Sequence, residues 1–70
     1  MKGFIQLQRR DPTDGGNAGG MYIKSTDISM LYYEREDNSC KIVLNNGLVY
    51  TAMQTLSEVM DEVTESLRNS

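Results

Sequence analysis

The chain has no histidine and no tryptophan, and it has one cysteine, one proline and one phenylalanine among its 70 residues. Each shortage removes a class of protein. A lone thiol cannot close an internal disulfide, and without histidine the common structural zinc sites cannot be assembled. General acid–base and nucleophilic mechanisms rest most often on a histidine, or on a nucleophile oriented beside a base, and no such constellation is visible. The expectation is a protein that is not an enzyme, with no catalytic residue, no metal and no cofactor. No apolar run approaches the roughly 18 residues of a membrane span, and Met1-Lys2-Gly3-Phe4-Ile5 turns polar too early for a secretory leader. A reducing cytoplasm, away from membranes, is the expected setting.

What is present suits a small folded chain. Hydrophobic residues at 39% against 24% charged give enough apolar surface to offset chain entropy. Seven basic and ten acidic residues leave a net charge of −3, which argues against nucleic acid as a partner because phosphate contacts dominate that affinity. The length allows a single domain, residues 1–70. Chains near this size bury only about 60% of their unfolded surface and usually recruit a disulfide, a metal or a second subunit. With the first two excluded, a homo-oligomer is the expected form.

Gly3-Phe4-Ile5-Gln6-Leu7-Gln8 ends in the period-two alternation of a half-buried strand. A proline, glycines and polar residues fill 11–20, which reads as a glycine-rich loop. Met21-Tyr22-Ile23 resumes an extended pattern before the polar break Lys24-Ser25-Thr26-Asp27. Next come Ile28-Ser29-Met30-Leu31-Tyr32-Tyr33-Glu34 and Cys40-Lys41-Ile42-Val43-Leu44, separated by the turn residues Glu36-Asp37-Asn38-Ser39. Asn45-Asn46-Gly47 then leads into Leu48-Val49-Tyr50-Thr51-Ala52. A three-residue loop with a left-handed Gly47 is preferred there, since it sets Cys40, Ile42, Leu44, Leu48, Tyr50 and Ala52 on one face.

From Thr55 the period becomes helical, with Leu56, Val59, Met60, Val63 and Leu67 on one stripe. Thr55-Leu56-Ser57-Glu58 has the form of a capping box. Glu58, Asp61, Glu62 and Glu65 read as a solvated acidic face without calcium-loop spacing, and Cys40 as a small buried hydrophobe. The fold class that follows is α+β: a small antiparallel β-meander of four to five strands with one C-terminal amphipathic helix packed on one face.

One helix covers one face. The other face is expected to carry Leu31, Tyr33, Val43 and Val49, and an apolar patch on a small domain marks an interaction surface. These four are the candidate interface residues. The function that follows is a non-enzymatic regulatory or accessory protein acting through protein–protein contacts as a homo-oligomer. The alternative is a small-ligand or nucleotide-sequestering protein in which Arg9, Arg10 and the glycine-rich loop clamp an anion while Tyr22, Tyr32 or Tyr33 stacks on a base. That loop lacks the spacing of the phosphate-binding motifs.

The order Phe4-Ile5-Gln6-Leu7, Met21-Tyr22-Ile23, Asp27-Ile28, Ile42-Val43-Leu44-Asn45-Asn46-Gly47-Leu48-Val49-Tyr50 and Leu56-Ser57-Glu58-Val59 resembles the FlbD-type flagellar and swarming motility family of small proteins. The resemblance spans most of the chain outside residues 11–20 and implies a non-enzymatic accessory role. Tyr22 to Leu67 is also similar in order to the first half of LytTR-type DNA-binding domains. The basic segment with which those domains reach DNA has no counterpart in these residues.

Overall fold

The computed structural model describes residues 3–11 and 13–68; Met1, Lys2, the expected turn residue Pro12, Asn69 and Ser70 lie outside them. The described residues form strands β1 (Phe4–Arg10), β2 (Asn17–Lys24), β3 (Ile28–Glu34), β4 (Ser39–Leu44) and β5 (Val49–Ala52), followed by helix α1 (Leu56–Arg68). The class is α+β, with one antiparallel sheet and one C-terminal helix packed on it.

Short-range chemistry sets the best-defined connections. At the β4–β5 turn the Leu44 amide donates to Leu48 O at 2.8 Å and the Gly47 amide to Leu44 O at 2.9 Å, which encloses a three-residue loop. Gly47 sits at φ +91°, where a side chain would be strained. Ile42 therefore faces Tyr50 and Cys40 faces Ala52, the expected register. At the start of α1 the Thr55 amide donates to Glu58 Oε1 at 2.9 Å and the Glu58 amide to Thr55 Oγ1 at 3.1 Å, a reciprocal capping box.

These bonds hold the Glu58 carboxyl below its ordinary value of 4.5. A depressed folded-state value means that the ionised cap stabilises the fold fully above about 4.5, and that this contribution disappears as pH falls through the lowered value. Thr55→Ala is expected to cost about 1 kcal/mol in urea denaturation at neutral pH. The stability gap between the native protein and Glu58→Gln should close on acidification.

The strand order is β2-β1-β5-β4-β3. Strands β3 to β5 make a meander, and the β1–β2 hairpin joins it through β1, with Arg9 opposite Ala52 and the Met53 amide donating to Gln8 O at 2.7 Å. The two edge strands, β2 and β3, are consecutive in the chain. Flat, they would lie about 19 Å apart, whereas the four steps from Lys24 to Ile28 reach at most about 14 Å. Because Ser25–Asp27 forms a turn of 3-10 helix, the reach is shorter still. The sheet must curl, and its concave face holds the core. Ile5, Leu7, Ile23, Cys40, Ile42, Ala52 and Val59 are buried there, with Leu31, Leu44, Tyr50, Leu56 and Val63 packed against them.

Two expectations change. The glycine-rich loop is shorter than 11–20, because Asn17-Ala18-Gly19-Gly20 belongs to β2 and pairs with Gln8 to Arg10 across a register shift. Gly19 permits this at φ +110°, where an added Cβ would also lie 3.4 Å from Arg9 Nη2. On α1, Val59 is fully buried, but Met60 and Leu67 are 52% and 48% exposed while Ser66 is 4% exposed. The helix is rotated so that Ser66, and not Leu67, turns inward. Ser66 Oγ donates to Val63 O at 2.8 Å and shares a hydrogen bond with Ser25 Oγ. The Ser25 amide donates in turn to Gly3 O at 2.9 Å. This corner ties the last turn of α1 to Gly3 before β1 and to the 3-10 turn after β2.

Candidate functional site

The convex face of the meander is built from alternating residues of three strands. Val43 lies opposite both Met30 on β3 and Val49 on β5, giving an apolar row Met30–Val43–Val49 that crosses the meander. Met30 is 51% and Val49 52% exposed. The next row is Tyr32–Lys41–Thr51. There Lys41 Nζ donates to Thr51 Oγ1 at 2.7 Å and to Asp37 Oδ2 at 3.0 Å. Asp37 also accepts from the Ser39 hydroxyl, and these two partners hold its carboxyl below the usual range. A polar row, tied together at Lys41 and Thr51, thus borders a bare apolar one.

Only half of the expected interface set lies on this face. Val43 and Val49 do; Leu31 and Tyr33 sit directly opposite Ile42 and Cys40, on the concave side. The cause is the length of the β3–β4 turn. Four residues, Arg35 to Asn38, separate Glu34 from Ser39, so odd-numbered positions of β3 align with even-numbered positions of β4. Leu31 accordingly packs against the core, and the Tyr33 hydroxyl donates to Asn38 Oδ1 at 2.7 Å at the rim. Met30 takes their place on the convex face by the same alternation, in one register with Leu31 to Glu34; the register shift falls before it, between Ile28 and Met30.

Arg9, Arg10 and Tyr22, the candidate anion site, do not converge. The Arg9 guanidinium donates to Ala18 O at 3.0 Å and that of Arg10 to Asp37 O at 3.1 Å. Arg9 Nε is buried without a partner. Tyr22 faces Gln6, five positions along β2 from the residue opposite Arg10, a separation of about 16 Å. The loop has also used its own amides. Those of Thr13 and Gly16 donate to the Asp11 and Asp14 carboxylates at 2.8 and 2.7 Å, and that of Gly15 to Asp11 O at 2.9 Å. The Thr13 hydroxyl, the largest influence, and the Thr13 amide keep Asp11 ionised to lower pH than usual. An incoming phosphate would meet carboxylates there.

A cleft of about 390 Å³ lies beside the start of α1, lined by Arg10, Tyr33, Cys40, Met53 and Leu56 among others. Its helix end is already capped by Glu58. Cys40 is buried, which pushes its thiol up and keeps it protonated at neutral pH. Among the described residues, no three His, Cys, Asp or Glu side chains come together as metal ligands, and no helix is long and apolar enough to cross a membrane. No family model, curated protein or solved structure matches the chain.

Proposed function

We propose that this is a small non-enzymatic regulatory or accessory protein that assembles with itself and works through protein–protein contacts, meeting another protein on the convex face of its β3–β5 meander. One observation carries the reading: Met30, Val43 and Val49 are mutually opposite on three adjacent strands, and two of them are half exposed although the concave core is complete without them. Apolar surface of that continuity is rare on a small domain with no partner. The resemblance of the sequence to FlbD-type proteins implies a role of the same kind.

Val43→Asp tests this reading. Its side chain lies outside the core, so circular dichroism should show a folded protein, while native mass spectrometry should show a retained protein partner lost. An unchanged complex in the folded variant would refute the convex face as the contact. Arg10→Ala, which alters the alternative anion site, should leave association unchanged.

A further inference from the structure

The sheet ends in two open edges, β2 and β3, and they differ in how far they discourage another strand. β2 carries adjacent glycines, a register shift opposite Arg9 and Arg10, and a terminal lysine, all of which blunt an edge. β3 has one register shift near its start; beyond it, Met30-Leu31-Tyr32-Tyr33 runs without charge, proline or glycine. An edge of that composition is a template for pairing.

The flanking charges select the strand that fits. Asp27 immediately precedes β3 and Arg35 immediately follows it, and both are exposed. Among the described residues neither side chain has an ion-pair partner. Of the neighbouring carboxylates, Asp37 is engaged with Lys41 and Ser39 and Glu34 with the Glu36 amide at 3.3 Å, while Glu36 forms no ion pair with Arg35. A strand with an unpaired negative charge before it and an unpaired positive charge after it is complementary to an antiparallel copy of itself.

We infer that two copies of the chain pair edge to edge through β3, about a two-fold axis at Leu31, with Asp27 of each against Arg35 of the other. This inference rests on the proposed self-association and names its geometry. An isologous contact satisfies both charge pairs with one operator. Met30 then faces Tyr32 of the second copy, so that across a six-strand convex surface each Met30–Val43–Val49 row continues into the other copy's Tyr32–Lys41–Thr51 row. The edge contact leaves the Met30–Val43–Val49 row of each copy uncovered, and so open to another protein.

The experiment is a charge swap on the full chain, read by size-exclusion light scattering and native mass spectrometry across a concentration series. Wild type should be a dimer. Arg35→Asp and Asp27→Arg should each raise the dimer dissociation constant roughly tenfold, because each dimer then contains two like-charge contacts. The double variant Asp27→Arg/Arg35→Asp should restore the wild-type constant. Neither carboxylate nor guanidinium is tied into the fold, so circular dichroism should be unchanged throughout. In the wild type, amide exchange at Met30 to Tyr33 should slow as protein concentration rises. A wild type that is monomeric at every concentration, or single variants that dimerise as tightly as wild type, would overturn the inference. Should Val43→Asp dissolve the dimer while Arg35→Asp does not, association is face to face; the edge geometry then fails and the convex-face function survives.

Discussion

Truncation of Ile42 to Ala is expected to unfold a large share of the protein near its working temperature. Ile42 is 0% exposed on the central strand of the meander, opposite Leu31 on one side and Tyr50 on the other. Removing its outer carbons costs the transfer free energy of those groups plus a cavity term, together about 2–5 kcal/mol. A 70-residue domain has a total stability of only roughly 4–10 kcal/mol. In a chain this small each kcal/mol moves the melting temperature by about 4–8 °C, so a fall of at least about 10 °C should appear in thermal circular dichroism. Val43→Ala is the matched control one residue along, with its side chain on the convex face, and it should melt within a few degrees of wild type. Equal losses at the two positions would show that the faces of β4 are wrongly assigned.

The same comparison shows which parts of the molecule are legible in its residues. The capping box at Thr55 and Glu58 and the Asn45–Gly47 loop are written in groups that lie within three or four positions of one another, so local chemistry is enough to place them. The helix, the α+β class and most of the core follow from periodicity for the same reason. The contact of β1 with β5 joins residues more than 40 positions apart, and no pattern in either strand announces it. The faces of Leu31 and Tyr33 depend on the parity of a turn, which four residues decide and propensity does not. The glycines of 17–20 read as loop because they supply no buried side chain; they are a strand because β1 offers them backbone partners. For the candidate site, Val43 and Val49 are recoverable from alternation alone, while Met30 depends on the same turn parity that sends Leu31 and Tyr33 to the concave side.

Ser66 was the least legible residue, and it carries the other large effect. At 4% exposure its hydroxyl gives its single proton to the Val63 carbonyl, so in the pair with Ser25 it is the acceptor and Ser25 the donor. The two substitutions should therefore be unequal. Ser66→Ala strips the acceptor from a Ser25 hydroxyl that is itself 5% exposed, and an unsatisfied buried donor costs about 1–3 kcal/mol. Ser25→Ala leaves Ser66 still donating to Val63 and should cost less. In the double alanine variant no hydroxyl remains to be left unpaired, so its loss should be smaller than the sum of the two single losses. Urea denaturation of the four proteins closes this cycle. Additive losses would mean that the hydroxyls act independently and that the rotation of α1, with Met60 and Leu67 turned outward, is set by the packing of Val59 and Val63 alone. A positive coupling instead makes this buried pair the feature that orients the helix. The stripe of Leu56, Val59, Met60, Val63 and Leu67 would otherwise centre on the sheet, and one polar contact at the last turn displaces it toward Gly3 and Ser25.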